Sequence, residues 1–161
     1  MATIRQEALT AFLIEEQTRS YRLAYSYLKN REEALDAVQT AVCRALEKRD
    51  SLREPEAVRA WFYHILVNTC MDQLRRQKRV TLLPPELLDT GSYEDPLPDA
   101  SLAQRVDALS VEIGTIIKLR FYEELSLREI STVTGWNLNT VKTRLYSGLK
   151  KLRIELEGEE Q

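Results

Sequence analysis

No glycine precedes Gly91, and Pro55 is the only proline before Pro84. A stretch so poor in backbone punctuation predicts long helices, because tight turns and sheet corners call on glycine and proline. Apolar residues also recur through it at helical spacing. One helix is expected from about Ile4 to Leu28, burying Leu9, Phe12, Leu13, Leu23, Tyr27 and Leu28. Asn30 then stands as an N-cap with Glu33 three residues on, the wording of a capping box, and Ala34, Leu35, Val38, Val42, Ala45 and Leu46 form the next apolar face. Pro55 suits the first turn of a third helix. That helix places Val58, Trp61, Phe62, Ile65, Leu66 and Leu74 inside and ends on Arg75, Arg76, Lys78 and Arg79.

The pattern stops between Thr81 and about Ala100, where Pro84, Pro85, Pro96, Pro98, Gly91 and a set of acids gather. This composition reads as an extended acidic linker. Helical spacing resumes at Ser101 and runs through Leu102, Val106, Leu109, Ile113, Ile116, Ile117, Leu119 and Phe121. No run alternates as a strand would. The expected fold is all-α, with two small helical modules (residues 1–80 and 101–161) joined by the linker 81–100.

The end of the second module has a stronger signature. Ser126 and Glu129 have capping-box spacing, Gly135 can close a helix in the left-handed conformation, and Asn137 can cap the next one. Ile130 and Val133 give the first of these helices an apolar face, continued in the second by Val141, Leu145, Leu149 and Leu152. Between Asn137 and Ile154 there is no acid, while Lys142, Arg144, Lys150, Lys151 and Arg153 are basic. A charge run alone is usually a solvated surface. A capped short helix, a glycine turn and an acid-free second helix together describe a helix-turn-helix able to enter a DNA major groove.

A net charge of −2 and a pI near 5.6 speak against DNA binding until the charge is divided. Residues 1–80 carry 14 basic and 11 acidic groups, 81–104 none and five, 105–154 nine and five, and the tail 155–161 none and four. Two basic modules thus alternate with two acidic segments. In the third helix, Trp61 and Phe62 fall with Val58 and Ile65 and are assigned to the core, although a Trp61-Phe62-Tyr63 run also suits base stacking. Asn68, Asp72 and Gln73 follow. Asparagine and glutamine can read base edges while arginine and lysine hold phosphates.

Other chemistries find little support. His64, the single histidine, is assigned a structural role within its helix. Cys43 and Cys70 have no metal-ligand spacing and read as buried free thiols of a reducing compartment. No phosphate-cradling glycine loop, metal cluster or activated nucleophile is apparent, so neither an enzyme nor a cofactor is expected. Glu32–Glu33 and Glu123–Glu124 are assigned to solvated surface and capping. Apolar runs are too short to span a bilayer, and the N-terminal stretch lacks the marks of a signal peptide.

The runs ALDAVQTAVCRALEK (34–48) and EPEAVRAWFYHILVNTCMDQLRRQKR (54–79) resemble region two of bacterial sigma-70-family sigma factors. The run ALSVEIGTIIKLRFYEELSLREISTVTGWNLNTVKTRLYSGLKKLR (108–153) resembles their region four. Without an acidic N-terminal extension or a middle domain, the layout is similar to the extracytoplasmic-function (ECF) group. The resemblance implies an alternative sigma factor that binds core RNA polymerase and recognises −10 and −35 promoter elements, in a bacterial cytoplasm and in response to stress. Asp36 and Gln39, with Thr40 and Arg44, match the helix that docks on the β′ coiled coil, and the second module would meet the β flap. Asn68 matches the residue that holds a flipped −10 base, with Gln73, Arg75, Arg76, Lys78 and Arg79 along the melted strand and adjoining duplex. Lys142, Thr143 and Arg144 match residues entering the −35 major groove, with Asn139 and Thr140 before them and Tyr146, Ser147 and Lys150 beyond. An anti-sigma factor, in relatives often membrane-anchored, is a further implied partner. Ser110 replaces a common proline, which changes little because serine also starts helices, and Ser147 a frequent arginine, so promoter preference does not transfer from relatives.

Two other functions fit the residues: a free-standing helix-turn-helix regulator with a dimerising or effector-binding N-terminal module, and a helical adaptor that binds only protein. The acidic linker is expected to lie in a basic polymerase channel that RNA later occupies. Replacing Glu86, Asp89, Glu94, Asp95 and Asp99 by neutral residues should then weaken core binding and alter promoter escape; if both stay unchanged in binding and transcription assays, the linker has no such place.

Overall fold

The computed structural model describes residues 6–80 and 100–159, with side chains over 6–77 and 104–153. The chain divides into two compact units, Met1–Asp95 and Pro96–Gln161. The N-terminal unit contains α1 (Gln6–Glu15), α2 (Gln17–Leu28), α3 (Arg31–Glu47) and α4 (Val58–Val80); the C-terminal unit contains α5 (Ala100–Ala108), α6 (Val111–Ile117), α7 (Leu127–Thr134) and α8 (Leu138–Glu159). No strand occurs among the described residues, and none of their helices is long and apolar enough to cross a membrane.

The single helix expected up to Leu28 is broken at Glu16, whose φ of −88° and ψ of 2° leave the helical basin. The helical hydrogen bonds continue across it, from Glu16 N to Phe12 O and from Ser20 N to Glu16 O. At this break the Glu16 carboxylate accepts a 2.7 Å hydrogen bond from the hydroxyl of Tyr63, which is buried in α4. Tyr63 is therefore core, not a stacking residue. Lys29, at φ 57°, ends α2, and the Asn30 side chain caps Glu33 N at 3.0 Å to start α3. The reciprocal half of that cap does not form, and Glu33 Oε2 accepts from Gln73.

In α3, Ala34, Ala37, Val38, Ala41 and Ala45 face inward. These small side chains bring α2 and α4 close, and Leu35 and Leu46, expected inside, are exposed. A 3-10 turn at Arg49–Ser51, the buried Leu52 and a second turn beginning at Pro55 lead to α4. Here Trp61 is only partly buried, and its Nε1 donates to Ser51 Oγ at 3.0 Å. Phe62, Tyr63, Leu66 and Cys70 fill the interior, with Phe12 edge-on to Phe62. Each fully buried side chain of this size contributes about 1.5–3 kcal/mol.

The C-terminal unit starts with α5, which takes up Ala100; the rest of the expected linker lies outside the described residues. Ser110 caps α6 through Ile113 N at 3.3 Å, so serine does serve there as a helix start. After Ile117 the backbone widens into a π-helical turn, Lys118–Tyr122. An i→i+5 turn rotates through fewer degrees per residue than an α turn, so it breaks the α-helical phase at this point. Phe121, expected inside, is exposed beside Tyr122, whereas Glu123, expected in solvent, is buried. Lys118 is also buried and pairs with Asp107 at 3.3 Å.

α6 packs on α8 at Gly148, where a β-carbon would lie 2.5 Å from Ile113 Cγ2 and 2.9 Å from Ile117 Cδ1. The branched Ile113 methyl has little freedom to withdraw. Gly148→Val should lower the stability of this unit by about 1–3 kcal/mol, the usual cost of overpacking. An unchanged thermal unfolding midpoint would contradict this close approach.

Candidate nucleic-acid interface

On α3 the alanine-rich side turns inward, leaving an outer side of Leu35, Asp36, Gln39, Cys43 and Leu46, with Thr40 and Val42 half-buried beside it. Asp36, Gln39 and Cys43 follow one another at i, i+3 and i+7, so a carboxylate, an amide and a thiol lie along one line. Cys43 is thus exposed, contrary to the expectation of two buried thiols; Cys70 is buried, and both are free. Arg44 lies off this line. Its Nη1 reaches across to α4, 3.0 Å from Thr69 Oγ1 and 3.3 Å from Asp72 Oδ2, while Asp72 Oδ1 accepts from Arg75 Nη2 at 3.1 Å. These contacts tie the outer edge of α3 to the exposed side of α4.

That exposed side carries His64, Asn68, Arg75 and Arg76. His64 is in solvent, not enclosed as a structural histidine would be, and its Nε2 lies 3.1 Å from Asn68 Nδ2. The i, i+4 spacing of the two residues was a visible sign of this contact. Gln73 sits differently: at 8% exposure its Nε2 donates to Glu33 O at 3.1 Å and to the Glu33 carboxylate. Its amide holds α4 to the first turn of α3 and does not share the Asn68 surface. Lys78 and Arg79 belong to α4, but their side chains lie outside the described set.

In the C-terminal unit, the helix-turn-helix forms as its residues imply. Both halves of the Ser126–Glu129 capping box are present. Gly135 adopts φ 78° and its N–H reaches Ser131 O at 2.8 Å. Ser131 Oγ donates to Trp136 O at 2.5 Å, and Asn137 Oδ1 accepts from Asn139 N at 2.8 Å to open α8. Ile130, Val133, Val141, Leu145 and Leu152 are buried between the two helices and their neighbours.

Burying that stripe leaves Asn139, Lys142, Thr143, Tyr146 and Lys150 exposed along the opposite side of α8, with Tyr146 64% exposed. Ser147 is exposed next to them, and Thr140 is half-buried. Thr143 Oγ1 donates back to Asn139 O at 2.9 Å, which restricts the rotamer of this exposed side chain. Arg144 occupies another side of the helix. Its guanidinium stacks 4.5 Å from the centroid of the Trp136 ring, and its Nη1 is buried with no hydrogen-bond acceptor among the described residues. Arg144 is therefore braced against the turn, separate from the Lys142–Lys150 row; Trp136 as its partner was not anticipated.

Residues 13–80 match the family model of sigma-70 region 2, and residues 100–152 that of sigma-70, region 4. RNA polymerase sigma factor SigV of Bacillus subtilis (strain 168) is 43% identical, over 94% of this chain and 93% of its own. ECF RNA polymerase sigma factor SigW of the same organism is 29% identical, over 94% and 90%. Two solved structures share the fold at 21% identity. CnrH, in complex with the cytosolic domain of CnrY, has a TM-score of 0.71 over 96% of this chain and 90% of its own. Sigma factor RpoE, in complex with the anti-sigma factor NepR from Bartonella quintana, has 0.73 over 91% and 97%.

Two helical units, each matching a separate sigma region in the family's order, make this chain a member of the sigma-70 family. Within it the chain belongs to the ECF group and is an alternative sigma factor, binding core RNA polymerase and directing it to promoters.

The stack on Trp136 gives Arg144 a role that charge alone does not supply. Arg144→Lys retains the charge and loses the planar guanidinium. It should lower the stability of the C-terminal unit by about 0.5–1 kcal/mol, the range of exposed cation–π pairs. Matching unfolding curves for the two proteins would show that the stack contributes nothing.

Proposed function

We propose that the sigma activity of this chain is divided among three surfaces. The outer side of α3, with Asp36, Gln39 and Thr40 at its centre and Arg44 at its edge, docks on the β′ coiled coil of core polymerase. The exposed side of α4 holds the opened −10 strand: Asn68 takes an unpaired base, and Arg75, Arg76, Lys78 and Arg79 follow the phosphates. Gln73 supports this surface from below by holding α4 to α3. In the other unit, Asn139, Lys142, Thr143, Tyr146, Ser147 and Lys150 enter the major groove of the −35 element. Thr140 and Arg144 flank that row, and the unit also meets the β flap.

The observation that carries this reading is the row on α8. An acid-free exposed helix side, set by a capped and glycine-closed turn, is what a recognition helix presents to DNA. Bidentate base contacts discriminate by about 1–3 kcal/mol each, while phosphate contacts set register. Two small, weakly basic units, opposed by two acidic segments, bind DNA poorly when free. Attachment of both to one polymerase turns two weak contacts into a selective grip. The chain carries no reaction of its own in this scheme; nucleotide addition belongs to the polymerase.

The protein would act in a bacterial cytoplasm, in a stress response, and be held inactive by an anti-sigma factor. The likeness in fold to CnrH and RpoE, both solved with partners, supports the last of these.

Run-off transcription with purified core polymerase tests the scheme. Added protein should give promoter-specific transcripts, and Lys142→Glu should reduce them at least about fivefold on −35-dependent templates, the lower end for one specific contact. Asp36→Ala with Gln39→Ala should lower core affinity and leave the fold unchanged by circular dichroism. A footprint on promoter DNA that needs no polymerase would favour a free-standing regulator.

A further inference from the structure

We infer that His64 is a positioning residue that sets which way round Asn68 presents its amide to a −10 base. The inference rests on the reading that Asn68 touches an unpaired base of the opened strand. Both side chains are exposed on the same side of α4, one turn apart. Asn68 Nδ2 lies 3.1 Å from His64 Nε2. A neutral imidazole protonated at Nδ1 presents Nε2 as an acceptor, so it takes one of the two amide hydrogens of Asn68. The oxygen and the second hydrogen remain for a base, in a fixed order.

The order matters because an asparagine amide has nearly equivalent shapes on either side of its terminal torsion. Exposed and unheld, that torsion is broad and roughly two-fold. A half-turn exchanges donor for acceptor, and a base edge is read by the order of donors and acceptors it faces. His64 therefore contributes to base choice without touching the base. Its own residue type was not a sign of this role; its place one turn before Asn68 was. The neighbouring polar groups do not substitute for it: Thr69 Oγ1 donates to Ile65 O and accepts from Arg44, and Asp72 is taken by Arg44 and Arg75.

The experiment uses the full chain with core polymerase on four templates that differ at the −10 base whose identity Asn68 governs, found with Asn68→Ala on a scanned −10 element. His64→Phe keeps a ring and removes the acceptor. His64→Gln restores an acceptor within reach of an asparagine four residues on. His64→Phe should reduce discrimination at that base by about two- to tenfold, the range spanned by one net hydrogen bond. His64→Gln should recover most of it, and His64→Phe with Asn68→Ala should be no worse than Asn68→Ala alone, since both act through one amide. Core affinity should stay unchanged in all of them. Equal discrimination by wild type and His64→Phe, losses that multiply in the double variant, or a loss spread evenly over the whole −10 element would each overturn the inference. If Asn68→Ala itself leaves every −10 base unaffected, the reading of Asn68 fails and this inference fails with it, an outcome distinct from a silent His64→Phe.

Discussion

The N-terminal unit depends on the burial of one side of α4. Phe62, Tyr63, Leu66 and Cys70 lie inside, and the remaining surface of the same helix carries His64, Asn68, Arg75 and Arg76 in solvent. With 3.6 residues per turn, holding one side rigidly in a packed core aims the other with equal rigidity. The bond from Tyr63 to Glu16 anchors the buried side to the break between α1 and α2, and Gln73 anchors it to the first turn of α3. A nucleic-acid surface on such a helix needs no loop to position it. Its weak point is the reverse: any shift of the core shifts the surface.

The C-terminal unit meets the same requirement with fewer residues. Gly148 lets α6 approach α8 closely, and the Ile130, Val133, Val141 and Leu145 stripe fixes the angle between α7 and α8. Around this stripe the polar side chains divide by function of place. Asn139, Lys142, Thr143, Tyr146 and Lys150 face outward, while Arg144 stiffens the turn through Trp136. Two basic residues separated only by Thr143, Lys142 and Arg144, thus sit some 200° apart around the helix by its geometry, and only the first is on the outward row.

Arg44 joins two roles within the N-terminal unit. It borders the Asp36–Gln39 line on α3, and its guanidinium touches both Thr69 and Asp72, the immediate surroundings of Asn68 on α4. Asp72 in turn holds Arg75. The pairs are part-exposed, so each is worth at most about 1 kcal/mol, and their effect is to set side-chain directions more than to hold the fold.

The sequence by itself determined the helical class, the family, the helix-turn-helix with its capping box and Gly135 turn, and the identity of most exposed polar residues. Those features are local: a cap, a left-handed glycine and an acid-free run act within a few residues of themselves. Tertiary structure decided what depended on the phase or the partner of a helix. Leu35 and Leu46 are outside because alanines took the inward positions of α3, and Phe121 is outside, within the π-helical turn that follows Ile117. Gln73 is committed to Glu33, and Arg144 to Trp136, through contacts between different elements. Residue type says that an amide or a guanidinium can bind; only the packing around it settles whether that group faces solvent or already holds another helix.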